Sequence, residues 1–305
     1  MNPETATHSA TERSLPTANE VILRPERSLT ALAVSRLVKN RLAVLGLVIL
    51  CALIVAATMA PLLTRYSPTA MDTSNRFQPP SLEHLMGTDQ FGRDLLSRIV
   101  YAGRVSLTVG IISVGVAGLL GTIIGLTSAY YGGWWDLLVS RLMDVLFAFP
   151  PVLLAIAIMA ALGQNITNVM IAIGIVNTPI FARVVRATAM GISGRLFVEA
   201  AQALGASNRR IILKHVFPNC LPPLIVQTTV AFAWAVIAEA ALSFLGLGTR
   251  PPTPSYGRIL DEGRNVMEYA PWQPVFAGLA IMITVFSLNV LGDGLRDALD
   301  PESTR

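Results

Sequence analysis

Six apolar runs, at residues 42–63, 106–126, 137–162, 166–185, 221–245 and 275–295, dominate the chain. Most are near the ~20 residues a helix needs to cross a hydrocarbon core. Lipid offers the backbone no hydrogen-bond partners, so runs of this kind must be helical. Charge follows the same division: 53% of the residues are hydrophobic, only 14% are charged, and the charged ones gather between the runs. The reading is an all-α membrane protein of six transmembrane helices. Pro179 and Arg183 interrupt the end of the fourth run and Asp293 the end of the sixth, so those two boundaries are the softest.

Residues 1–27 are rich in Thr, Ser, Ala, Glu and Pro, too polar to offset the entropy of ordering. A disordered, cytoplasmic tail over 1–35 is expected, with the membrane domain filling 36–300. The first run starts too far into the chain and is too long for a signal-peptide core, so it is read as a retained span. Basic residues set the orientation. Arg36, Lys39 and Arg41 abut the first run, and Arg183, Arg186, Arg195, Arg209, Arg210 and Lys214 follow the fourth against the single acid Glu199. Both segments are expected in the cytoplasm, as are both termini, which leaves 64–105, 163–165 and 246–274 outside. The five arginines of 64–105 run against this assignment, although the rule weakens in long loops.

Chemistry of the chain's own is hard to find. A phosphate-binding P-loop needs Lys after Gly, yet Lys39 and Lys214 follow Val38 and Leu213, so ATP hydrolysis is not expected here. Gly191-Ile192-Ser193-Gly194 resembles the nucleophile motif of rhomboid proteases, but Ser193 lies in the basic loop and no apolar run holds a histidine base; a turn is the simpler reading. Cys51 and Cys220 fall at different depths and are expected to pack unpaired. His8, His84 and His215 lack metal-ligand spacing, so no metal and no cofactor is expected in this chain. Among polar residues within the runs, Asp144 sits three after Arg141 and is expected to pair with it. Glu239, Gln227 and Asn177 are candidates for a pathway or gate, with bonds between helices as the structural alternative, and Asn289 is a further interior candidate. Gly118, Gly121 and Gly125 form a small-residue stripe suited to close helix packing. Tyr130, Tyr131, Trp134 and Trp135 flank Gly132-Gly133 as interfacial anchors.

The inside loop at about 186–220 carries the strongest pattern. Glu199-Ala200-Ala201 leads to Gly205, suited to end a short helix with positive φ, and then to Ser207, placed to cap the next. This hairpin reads as a docking element for a cytoplasmic partner. Together with Ile211, Ile212, Leu213 and Pro218 it resembles the EAA signature of ABC importer permeases. His84-Leu85-Met86-Gly87-Thr88-Asp89-Gln90-Phe91-Gly92-Arg93-Asp94-Leu95-Leu96-Ser97-Arg98 and Glu239-Ala240-Ala241-Leu242-Ser243-Phe244-Leu245-Gly246-Leu247-Gly248 are similar to the C-type permeases of dipeptide, oligopeptide and nickel importers. Family members commonly carry Pro where Leu85 stands. The likeness runs from about residue 37 to 300.

The resemblance implies a type I ABC importer permease fold in a bacterial inner membrane. It also implies a second homologous permease, one or two ATPase subunits that hold ATP and Mg, an extracytoplasmic substrate-binding protein, and no nucleic acid. Glu199, Ala200, Ala201, Gly205, Ala206, Ser207, Arg209 and Arg210 would then form the ATPase-coupling interface. A dipeptide, an oligopeptide, a nickel chelate or glutathione all remain open as cargo. The rival reading, a secondary transporter or channel, would call for several mid-membrane charges and paired broken helices in two related halves.

Overall fold

A computed structural model describes residues 29–299. The expected tail lies outside the described residues up to position 28, and its last seven positions belong to helix α1, Leu29–Lys39. Helix α2, Arg41–Thr58, starts at Asn40, whose Oδ1 accepts from the amides of Leu42 and Ala43. The short α3, Ala60–Leu63, closes this first hydrophobic segment. A loop with one 3-10 turn leads to α4, Leu95–Tyr131, capped by Asp94. Then come α5, Gly133–Ala148, and α6, Pro151–Leu162, followed by α7, Ile166–Ser193, capped by Asn165. Helices α8, Leu196–Ala203, and α9, Asn208–Ile211, precede a π-helical turn at Ile212–Val216 that runs into α10, Phe217–Phe244. Helix α11, Tyr256–Arg264, and α12, Trp272–Leu299, complete the chain. Among the described residues there is no β-strand, only a single bridge between Thr88 and Asp94.

The third expected span is not one helix. Helices α5 and α6 are bent by 97° where they meet. Pro150 and Pro151 stand at the break; neither has an amide hydrogen, and each ring blocks helical geometry in the residue before it. Pro151 then serves as the first residue of α6, where a missing donor costs nothing.

Contacts along α4 and α7 fix how this pair is counted. Ser113 Oγ donates to Met170 O at 2.9 Å, Gly121 lies against Ala182, and Gly125 lies against Val185 and Arg186. Residue numbers rise together on both helices, so they run parallel, and the chain between them must return through the bilayer. The broken pair therefore makes one crossing, and the spans among the described residues number six. Helix α10 opposes α4, with Ser106 near Glu239 and Gly110 near Phe232. Helix α2 opposes α12, with Gly46 against Ser287 and Leu291, and Ala43 against Gly294. The loops before α4, between α6 and α7, and between α10 and α12 thus share one end. The α4–α5 turn and the α8–α9 hairpin share the other.

Small residues let the helices approach closely, as expected where lipid removes the hydrophobic drive between spans and packing decides association. A Cβ on Gly121 would come 2.8 Å from Ala182 N, and one on Gly125 2.5 Å from Ala182 O. Gly118 differs: its Cβ would make ordinary contact at 3.7 Å with Phe181. The α4–α7 seam therefore rests on two members of the stripe, joined from the other side by Gly174 against Val116. Cys220 is buried, whereas Cys51 faces outward instead of packing inside.

Candidate functional site

The α8–α9 hairpin is held by two fully buried side chains, Val198 and Ile211, and by a hydrogen bond from the Tyr130 hydroxyl to Asn208 Oδ1 at 3.0 Å. Most of the hairpin between these anchors faces outward. Glu199, Ala200, Gly205, Ser207, Arg209 and Arg210 are exposed, with Ala201 and Ala206 half-buried at the base. Leu204, 89% exposed, and Leu196, 82% exposed, put large apolar side chains beside these charges. Gly205 has φ +77°. Its amide bonds to Gln202 O, and the amide of Ala206 bonds to Ala201 O, so the helix ends in a paired-carbonyl turn that needs a left-handed residue. Ser207 stands at the N-cap of α9, but its hydroxyl makes no capping bond; only its carbonyl is engaged, by the amide of Ile211. The expected side-chain cap is absent.

Beside the hairpin, α5 is fastened to α7. Arg186 donates to both carboxylate oxygens of Asp136, Nε at 2.5 Å and Nη2 at 2.6 Å, and Ser128 on α4 bonds the same carboxylate. Asp144 pairs with Arg141 at 3.8 Å as expected, but its nearer partner is Arg183 of α7 at 3.3 Å. All three are well exposed, so this pair adds little stability.

The pathway candidates are scattered. Glu239 is fully buried, and its carboxylate accepts from Ser106 Oγ on α4 at 3.1 Å and from Ser243 Oγ on its own helix at 2.7 Å. Asn177 is also buried, and its Nδ2 bonds back to Ile173 O at 3.1 Å. Gln227 is half-buried on α10, and Asn289 is exposed on α12. The structure does not bring Glu239, Gln227 and Asn177 together with one another. Beside Glu239, the start of α11 is pressed onto α10, with Gly257 directly against Ala240. Burial pushes the Tyr256 hydroxyl up to about 12, with a hydrogen bond to Thr284 acting the other way.

At the loop-rich end lies a buried ion cluster that sequence reasoning missed. Arg93 Nε donates to Asp89 Oδ2 at 2.6 Å, and Arg98 Nε lies 3.5 Å from the same oxygen. Both arginines also reach Glu262 Oε2 on α11, each from Nη2 at 2.8 Å. Arg258 Nε donates to the other oxygen of Glu262 at 3.1 Å. Asp89 Oδ1 is held by the amides of Phe91 and Arg93, which shapes the turn that presents both arginines. Next to it, His84 Nδ1 pairs with Asp94 Oδ1 at 2.9 Å while Asp94 Oδ2 caps α4. Trp272 Nε1 donates to Thr88 O at 3.2 Å. The loop before α4 and the segment after α10 are thereby welded into one lobe at the loop-rich end. The sequence offered the arginines as part of a motif, but nothing marked Glu262, more than 160 positions away, as their partner.

Comparison with known proteins gives consistent matches. Residues 119–305 match the family described as binding-protein-dependent transport system inner membrane component, and residues 28–80 match the N-terminal TM domain of oligopeptide transport permease C. A dipeptide transport system permease protein of Alkalihalophilus pseudofirmus is 48% identical, over 91% of this chain and 93% of its own length. A putative peptide transport system permease protein of Brucella abortus is 47% identical, over 90% and 93%. A glutathione transport system permease protein of Shigella dysenteriae is 44% identical, over 82% and 83%. Among solved structures, an inward-facing MetNI methionine ABC transporter chain superposes with a TM-score of 0.56 at 18% identity. It covers 68% of this chain and 98% of that one, a likeness of fold.

Proposed function

Because the chain belongs to the binding-protein-dependent transport system inner membrane component family and is a permease subunit of an ABC importer, we propose that it moves small peptides and takes its drive through the α8–α9 hairpin. ATP hydrolysis resides in partner ATPases, and this chain supplies part of the membrane path. The observation that carries the coupling role is the hairpin itself: two buried anchors hold an exposed face of Glu199, Ala200, Leu204, Gly205, Arg209 and Arg210. Such a face suits a groove on the ATPase, with the apolar side chains buried and the charges at the rim. Closure of the ATPase pair on ATP would move the hairpin as a body, and α7 and α10, which enter and leave it, would carry that motion into the bundle. ATP and the loaded binding protein must each favour one state of the bundle over the other, or neither would shift it.

On this reading the hairpin end and both termini are cytoplasmic. A second permease completes the path, and the binding protein delivers cargo at the welded outer lobe. The peptide class is supported by the names of the dipeptide, peptide and glutathione relatives. Identification of the ligand carried by the partner binding protein would fix the cargo.

One experiment tests orientation and docking together. With Cys51 and Cys220 replaced, Ser207→Cys should resist a membrane-impermeant thiol reagent in intact cells. It should react in opened membranes stripped of the ATPase and be protected again when the ATPase is restored. Labelling in intact cells would overturn the orientation, and labelling unaffected by the ATPase would overturn the docking role.

A further inference from the structure

Two cavities, one of mixed lining and one almost wholly apolar, meet at Arg104. One, of about 520 Å3, opens at the loop-rich end between the start of α4, the α6–α7 turn and the segment after α10; its polar lining includes Arg104, Thr108, Gln164, Asn165 and Arg250. The other, of about 630 Å3, is an apolar groove between α2, α4, α10 and α12, walled by Leu50, Ile54, Ile111, Phe232 and Leu288. Arg104 and Thr108 line both.

The level of this junction is fixed by α2. Arg104 Nε donates to Ala57 O and Nη2 to Thr58 O at 2.7 Å, the carbonyls of that helix's last turn. The guanidinium therefore sits at the end of α2, Arg41–Thr58, nearer the loop-rich end than the groove. The side chain of Arg250, on the rim of the same cavity, has neither a hydrogen bond nor an ion pair among the described residues. From Leu50 to Thr58 the groove follows α2 for about 12 Å of helical rise, about two-fifths of a ~30 Å hydrocarbon core. A soluble anion would occupy the cavity at the loop-rich end and leave the groove empty. A purely apolar molecule would fill the groove and leave two guanidinium charges without a counter-ion among the described residues.

We propose that this is a binding site for a membrane phospholipid from the leaflet at the loop-rich end. The phosphate lies between Arg104 and Arg250, and one acyl chain runs down the groove. Basic groups at a headgroup level above an apolar crevice between spans have the chemistry such a lipid requires. The bound lipid would fill the space between α2 and the α4, α10 and α12 bundle.

The test uses the intact importer with all its subunits, in nanodiscs of phosphatidylethanolamine and phosphatidylglycerol containing a phospholipid with a diazirine in mid-chain. After irradiation, label should concentrate at the half-buried groove walls Leu50 and Phe232 over outward-facing positions such as Val48. Arg250→Gln, which breaks no contact within the chain, should lower this labelling about fivefold, the weight of one basic residue near anionic lipid. Ile111→Trp should abolish it by filling the groove while both arginines stay in place. Excess glycerol phosphate or inorganic phosphate should not compete. Co-purification of the subunits establishes that each variant assembles. Labelling spread evenly over the outward faces, or unchanged in both assembled variants, overturns the proposal. So does an unlabelled groove, which would mean that a helix of a partner subunit fills it, and so does competition by soluble phosphate, which would mean a free-anion site.

Discussion

Replacing Glu262 with Gln is the sharpest probe of the outer lobe. The carboxylate accepts from Arg93, Arg98 and Arg258 at 2.8, 2.8 and 3.1 Å, and its side chain is only 8% exposed. The two buried arginines are balanced by Asp89 and Glu262, so the substitution leaves both guanidinium groups sharing one carboxylate. Gln also presents an NH2 group to a site where every neighbour is a donor, so at least one contact becomes donor against donor. Breaking a buried ion pair from one side costs about 3–5 kcal/mol. At ~2–4 °C per kcal/mol, even the low end of that cost lowers the melting temperature by about 6–12 °C. The assay is thermal unfolding of the purified importer in detergent, with limited proteolysis of the outer lobe. The double variant Arg98→Met with Glu262→Met, which removes one charge of each sign and adds apolar volume, should recover much of the loss. A Glu262→Gln protein that melts within about 1 °C of the native one, where a lost buried pair predicts several degrees, would refute the view that the cluster holds the lobe together.

At Glu239, Gln can still serve both serine hydroxyls, so Glu239→Gln should assemble and transport nearly normally. Glu239→Ala strands Ser106 and Ser243 in a dry interface and should lose about 1–3 kcal/mol, read as reduced yield of assembled complex; loss of uptake by assembled Gln complexes would show instead that the charge matters. Gly205 has open space around its Cβ position within the subunit, so Gly205→Val should cost only the ~1 kcal/mol or more of left-handed backbone strain in the isolated chain. It should nevertheless cut ATPase co-purification sharply, while Gly205→Asn, tolerant of that conformation, is milder; normal association and uptake by the Val variant would remove the docking assignment. Gly125→Ala should destabilise by about 1–3 kcal/mol through overpacking at Ala182. Gly118→Ala should be neutral or slightly stabilising, and equal effects of the two in thermal unfolding would contradict the asymmetric seam.

Much of this was legible from local pattern. Six spans, the hairpin with its left-handed Gly205 and the Arg141–Asp144 pair all depend on residues close in sequence, and periodicity or spacing reveals those. The break at Pro150 was written in the chain too, but averaged hydropathy runs straight through two prolines in an apolar stretch. Ser207 was expected to cap because of its residue type, whereas its hydroxyl makes no capping bond. What sequence could not disclose is pairing over long separations. Glu262 reads as one charge in a polar loop until α11 folds back onto the arginines before and within α4. The cavities meeting at Arg104 likewise draw their walls from elements spread over most of the chain.

The wide turn at Ile212–Val216 acts as a phase shifter between docking face and span. An α-helix rotates about 100° per residue, and a π turn inserts roughly one residue without breaking the rod. The direction in which Glu199 and Gly205 point, relative to the face α10 turns toward the bundle, is therefore set by a single surplus position. If all five residues of that turn wound as ordinary α-helix, the surplus position would swing the hairpin by about that angle about the axis of α10, leaving a subunit with every contact residue present and the plug turned away from its socket, whereas deleting one residue there would restore ordinary winding with the hairpin still facing it.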